Sequence, residues 1–311
     1  MAGLLDVIVG YDCNLACDYC TITPAMRASA LTSAQVVTAL RQGRADGYDA
    51  LSLTGGEPTI RRDLLGLVRA ARSLGYGDIK LQSNGLLLSS GNVERLHAAG
   101  VGRFHISIHT HRVERYDTLV RRSDSHAAMV AGLDAVLAAG HPLVVDVILK
   151  EDTYRDLPQA LAWLQTRGVV AVDLWFVSLT DGNARNLGSM PRMTEVVPTM
   201  RQAFAYAREH GMRLRSLHVP RCLLGDDHPH AHDPGAARVR VVTPDASFDL
   251  AHSRLTGQRH VAACEGCRFQ ERCPGARDDY LDRYGDAEIA AARGLPPTGH
   301  GTAGRSLPIR S

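Results

Sequence analysis

Apolar residues recur along this chain in short runs, each followed by a stretch in which they fall three or four apart, and the alternation repeats over the first two thirds of the sequence. The runs at 4–9, 50–53, 79–82, 103–108, 143–149 and 171–177 have the length and β-branched content of strands. Between them, 33–44, 64–74, 92–99, 126–139 and 157–167 carry helical spacing. In the first of these, Val36, Val37 and Leu40 share one side and Ser33 stands where a cap belongs. Six strands separated by helices predict an α/β fold with a parallel sheet and right-handed crossovers. A further helix, 196–210, and strand, 213–217, read as leading out of this unit.

The polar residues at strand ends are informative in such a sheet. In the fourth run Phe104, Ile106 and Ile108 alternate with His105, Ser107 and His109, so a period of two puts the three polar residues on one face. The second run ends in Thr54-Gly55-Gly56-Glu57-Pro58-Thr59 and the third in Ser83-Asn84-Gly85. Two glycines let a backbone approach a ligand closely, and a strand-end carbonyl beside a carboxylate suits an ammonium group. Chemistry gathered at strand C-termini argues for a partial barrel rather than a doubly wound sheet.

The pattern shifts near Val219. A His-rich tract, 228–235, precedes two short strand patterns, 238–242 and 247–250, with Pro244-Asp245 as a hairpin turn between them. This divides the chain into a barrel at 1–217, a small Cys-rich α+β domain at 218–290 and a flexible tail at 291–311. The tract could bind a metal, although an exposed polar loop is the simpler reading.

Composition narrows the class. With 45% hydrophobic and 22% charged residues over 311 positions the chain has ample material for a core. Its net charge of +2 gives no clustered basic face for nucleic acid or anionic membrane. No run approaches a membrane span and no secretory signal opens the sequence, so a cytoplasmic location is expected. Seven cysteines is an odd count, unsuited to a pure disulfide framework.

Three of those thiols, Cys13, Cys17 and Cys20, fall as C-x3-C-x2-C directly after the first strand. Thiolates ligate iron-sulfur clusters, and three on one loop can converge on one centre, leaving one iron of a four-iron cube open. A zinc knuckle would need a fourth ligand, and no His or Cys follows nearby.

The spacing, with Tyr19 just before the third cysteine, resembles the signature of the radical S-adenosylmethionine (SAM) enzymes. The resemblance implies a (β/α)6 partial barrel and a [4Fe-4S] cluster whose open iron chelates SAM and cleaves it to a 5′-deoxyadenosyl radical, with an electron supplied by a reductant of flavodoxin or ferredoxin type. It also implies cofactor contacts. Gly55, Gly56 and Glu57 match the family's GGEP element at the SAM amino group, and Asn84, Ser107 and His109 match positions that bond the ribose. Arg121 matches the position that grips the carboxylate, and Ile148 the position that packs on adenine.

The late run Cys264, Cys267 and Cys273 is C-x2-C-x5-C and resembles the SPASM extension or its shortened Twitch form, which carries an auxiliary [4Fe-4S] cluster. It departs from a full SPASM domain, because Arg277 stands where the next ligand would fall. Zinc suits four thiols as well. Cys222 is either the fourth ligand of this centre, or a free thiol that returns a hydrogen atom to a substrate radical, or an inert buried thiol. The expected function is hydrogen-atom abstraction from a peptide or a sugar or cyclitol substrate, followed by oxidation or cross-linking, or by epimerisation through Cys222. The alternative from another class is a non-catalytic zinc or iron-sulfur scaffold.

Overall fold

The structure is a computed structural model that describes residues 3–252 and 257–295. Seven strands run parallel in chain order: β1 (Gly3–Ile8), β2 (Ala50–Thr54), β3 (Asp78–Ser83), β4 (Arg103–Ser107), β5 (Leu143–Leu149), β6 (Ala171–Phe176) and β7 (Arg213–Leu217). The intervening helices are α1 (Ser33–Ala45), α2 (Leu64–Ser73), α3 (Ser90–Ala99), α4 (Val113–Val120), α5 (Ser125–Ala138), α6 (Leu157–Thr166) and α7 (Met193–Glu209). This is the expected partial barrel, with one strand more than the sequence pattern assigns to it. The run 213–217 does not lead out. It pairs with β6 in register, Asp173 opposite Arg215, and the Arg215 guanidinium grips both oxygens of Asp173.

Each strand turns one face outward to the helices. Val7, Leu53, Leu81, Ile106, Val147 and Leu174 are buried there, packed in one continuous core with Val36, Leu40, Val68, Leu133, Leu161 and Phe204 from the helices. Two local details differ from expectation. The α1 cap is Thr32, whose side chain accepts from the Gln35 N–H while Gln35 reaches back to the Thr32 N–H; Ser33 instead donates to Asp63 at 2.6 Å. Helix α4 has no counterpart in the sequence pattern, because 113–120 is too short for apolar spacing to declare itself.

The C-terminal segment contributes two strands to the same sheet and keeps a small core of its own around Ala263, Ala276 and Ile289. Strand β8 (Arg238–Val242) pairs parallel with the outer edge of β1, and β9 (Ser247–Asp249) closes a hairpin on it. A bare β1 edge would expose a row of unpaired amides. Arg238 and Arg240 lie over the Tyr48 ring at 4.3 and 5.1 Å, and Tyr48 donates to Asp249, fastening the hairpin. Residues 296–311, most of the expected tail, lie outside the described residues. The His-rich tract forms a tight turn whose His230 ring stacks on Phe204 at 4.2 Å and bonds the Leu214 carbonyl at 3.0 Å. His228 tilts onto Phe269 at 4.7 Å, and His232 faces a cavity described below.

Candidate active site

The loop leaving β1 carries Cys13, Cys17 and Cys20 into one cleft of about 160 Å³, beside Thr54, Gly55 and Gly56 from the β2 end. Gln82, Ser83 and Asn84 arrive from β3, and Ser107 and His109 from β4. The cysteine loop is held at nearly every residue. The Ala16 and Asp18 N–H groups donate to the Val120 and Leu119 carbonyls at the end of α4, and Arg27 donates to the Cys13 and Leu15 carbonyls at 3.1 and 2.7 Å. Arg122 donates to the Asn14 carbonyl and Asn186 to that of Asp18. The buried Lys150 ammonium meets the Asp18 carboxylate at 3.0 Å. Gly182, in the loop after β6, lies against the Cys20, Thr21 and Ile22 carbonyls so closely that a Cβ would sit 2.8 Å from the first.

The sequence-derived cofactor contacts divide. Tyr19, Gly55, Gly56, Asn84, Ser107 and His109 all line the cleft. The glycines have a different reason than ligand approach. A Cβ on Gly55 would lie 2.2 Å from the Gly10 carbonyl oxygen, and one on Gly56 2.1 Å from that of Asp12, so both are demanded by backbone meeting backbone. Glu57 does not line the cleft. Its carboxylate is consumed by the Thr59 N–H and hydroxyl, the Ser83 hydroxyl and the Asn84 N–H. Arg121 is exposed in a left-handed conformation as the residue that ends α4, away from the cleft lining. The guanidinium at the cleft is Arg27, on a short turn with no periodic signal, which the sequence pattern does not mark. Ile148 is half-buried outside the lining and donates its N–H to His109 Nδ1 at 3.1 Å.

That bond sets the state of His109. An accepting Nδ1 places the ring proton on Nε2, facing the Tyr19 hydroxyl. Burial, with a lesser push from Lys150, lowers its pKa to about 3, so the imidazole is neutral. Burial also raises Cys17 to about 12, with Cys20 and Cys13 adding repulsion against a partly offsetting bond from Tyr19. Three neighbouring thiolates in such a place call for a cationic partner, and a metal centre supplies one. The donor set therefore fits a thiolate-ligated cluster.

The other four cysteines also meet. Cys222, from α8 (Arg221–Leu224), shares a small cavity with Cys264, Cys267 and Cys273. Burial and the three other thiols together raise Cys222 to about 12, burial contributing most. Arg277, standing beyond them, forks onto Asp279 at 2.9 and 3.0 Å. A tetrahedral zinc at about 2.3 Å from each sulfur gathers the sulfurs to about 3.8 Å. Among the described residues, only His105, Asp146 and Asp173 bring three such ligand atoms within 4.8 Å of one another, so neither cysteine set is gathered that tightly.

Next to this centre is a larger chamber of about 570 Å³, walled by Trp175, Ser216, His218 and His232 on one side and by Cys273, Gly275 and Arg277 on the other. Cys273 and Gly275 line both cavities; Cys222 does not reach the chamber. His218 holds a left-handed backbone at φ 75° in its wall. Its Nδ1 faces the Phe176 carbonyl at 3.4 Å, and burial, then Arg277, lowers its pKa to about 4.

Comparison with known proteins agrees with this geometry. The family model described as Radical SAM superfamily matches residues 7–164. Molybdenum cofactor biosynthesis protein 1 of Bos taurus is 30% identical over 200 residues, covering 61% of this chain and 31% of that protein. GTP 3′,8-cyclase of Pelotomaculum thermopropionicum is 34% identical over 158 residues, 49% of this chain and 48% of that one. The chain thus spans less than half the length of these relatives. Among solved structures, Streptococcus suis SuiB bound to precursor peptide SuiA superposes with a TM-score of 0.69 at 13% identity, covering 90% of this chain and 73% of that one. Native anSMEcpe with bound AdoMet gives 0.67 at 12%, covering 94% and 97%. No helix of the described residues is long and apolar enough to cross a membrane.

Proposed function

This chain belongs to the radical SAM superfamily and is an enzyme that uses a [4Fe-4S] cluster and SAM; from that premise we propose that it carries out a two-electron oxidation, by dehydrogenation or cross-linking, of a substrate held in the chamber beside the C-terminal cysteines. Cys13, Cys17 and Cys20 hold the SAM-binding cluster. Bound there, cluster and SAM supply a carbon radical able to take a hydrogen atom from an unactivated C–H bond. The Gly55-Gly56 backbone, Asn84, Ser107 and His109 orient the cofactor, and Arg27 takes the carboxylate-gripping role first expected of Arg121, since two of its five N–H groups are engaged with the loop.

The observation that carries the oxidative reading is the position of Cys222. It shares a cavity with Cys264, Cys267 and Cys273 and stays outside the chamber wall. On this reading Cys222 is the fourth ligand of an auxiliary cluster and not the hydrogen donor of an epimerase. A substrate that has lost a hydrogen atom completes a two-electron oxidation by giving up one proton and one further electron. His218, neutral with Nε2 unprotonated, offers the proton acceptor, and the cluster behind Cys273 accepts the electron. A chamber of about 570 Å³ suits a small molecule or one inserted peptide side chain. A flavodoxin or ferredoxin reduces the first cluster.

Anaerobically reconstituted full-length protein with dithionite and SAM should release 5′-deoxyadenosine, as a scaffold would not. Cys222→Ala should halve the iron content, from about eight to about four per chain, while 5′-deoxyadenosine formation persists. Full auxiliary-cluster signal in that variant would return Cys222 to the donor role. The GTP 3′,8-cyclase relatives favour a nucleotide as the second reading of the substrate, and consumption of GTP in the same assay would select it.

A further inference from the structure

Below the cleft, the inward faces of three adjacent strands bring together His105 of β4, Asp146 of β5 and Asp173 of β6, whose ligand atoms lie within 4.8 Å of one another. They are 7%, 4% and 1% exposed. Asp146 and Asp173 are paired across the β5–β6 ladder, so two carboxylates stand side by side in the barrel lumen. Asp173 is answered by Arg215, which takes both of its oxygens. Asp146 is answered only in part. Its Oδ1 accepts from Trp175 Nε1 at 3.1 Å, while Oδ2 is fully buried and has no hydrogen-bond partner. A buried carboxylate oxygen without a donor carries an uncompensated desolvation cost. His105 Nδ1 lies 3.5 Å from it, too far for a good hydrogen bond.

That separation has a second meaning. Two ligands each about 2.0–2.2 Å from one metal ion, at tetrahedral or octahedral angles, stand about 2.8–3.6 Å apart. We propose that His105, Asp146 and Asp173 form a binding site for a divalent cation that braces β4, β5 and β6 beneath the cleft. The outer partners such a site requires are in place: Trp175 orients Asp146 and Arg215 orients Asp173. An organic group is a poorer occupant, since none of the three residues lines the cleft or the chamber, whereas a bare ion needs no cavity. One imidazole and two carboxylates suit zinc, iron(II) or manganese(II), and exclude a soft thiolate-seeking metal. The site adjoins residues of both cavities. Ser107, opposite Asp146 on β4, lines the cleft, and Trp175, bonded to Asp146, lines the chamber.

The test needs neither substrate nor SAM turnover, so it is independent of the oxidative reading. Full-length protein carrying its clusters, which occupy the thiols, is freed of loose metal by chelator and titrated with Mn²⁺, the unbound ion being counted by its six-line EPR signal. One equivalent should bind to the wild type. Asp146→Asn should lose more than the about 10- to 100-fold that removing an outer partner costs, and His105→Gln likewise. Asp146→Asn removes an unanswered charge, so it should fold and melt, without Mn²⁺, at least as high as the wild type. Wild type that takes up no Mn²⁺, or Asp146→Asn that binds it equally well, overturns the proposal.

Discussion

His218 and the cleft cysteines show how far a single side chain's surroundings set its chemistry. Burial holds His218 neutral to about pH 4, against an ordinary value of 6.5. Between those values the unfolded chain binds a proton that the folded chain refuses, so acidification from pH 6.5 to about 4 removes stability. The gap corresponds to about 3 kcal/mol. His218→Asn should therefore flatten the loss of melting temperature over that window while leaving melting above pH 7 little changed, and an identical acid slope in the variant would refute the account. Cys17→Ala should abolish 5′-deoxyadenosine formation and remove about four irons per chain, with the auxiliary cluster retained in the visible spectrum. Cys13, Cys17 and Cys20 were legible from spacing alone, because a short loop brings its own ligands together. Arg27 was not, because its place at the cleft comes from bonds to the Cys13 and Leu15 carbonyls that no local pattern announces.

At the scale of elements, the β2 end and the cysteine loop form one unit through contact of backbones. Gly56→Ala would drive a Cβ into the Asp12 and Tyr11 carbonyl oxygens at 2.1 and 2.5 Å, neither of which can swing aside. The variant should lose about 2–3 kcal/mol or more and load less iron, read by melting and metal analysis. Gly66, in α2, has nothing within 4 Å of such a Cβ. Gly66→Ala should gain about 0.5–1 kcal/mol from helix propensity with unchanged iron. Of these two glycines, a motif marks the one in Gly-Gly-Glu-Pro, yet the reason it must be glycine is packing against another strand's loop. Glu57 teaches the same lesson in reverse: its family motif pointed toward a ligand, while its carboxylate closes the turn on Thr59, Ser83 and Asn84.

For the whole molecule, the sheet joins the early strand β1 to the late strand β8. Because β8 covers the edge of β1, a fragment ending at residue 217 would bare that edge and the Tyr48 face under Arg238 and Arg240. It should aggregate on size exclusion, whereas a chain ending near residue 295 should remain monodisperse. Strand and helix order, the parallel sheet, the three-thiol centre and the presence of a second cysteine group were determined by sequence, because hydrophobic period and short-range spacing act within one element or one loop. Which guanidinium meets the cleft, that Cys222 joins the late cysteines, that β7 and β8 extend the sheet, and that His105, Asp146 and Asp173 converge were decided by tertiary structure alone. Those facts depend on groups from separate elements being brought together, and no periodicity along a chain encodes which distant strands become neighbours.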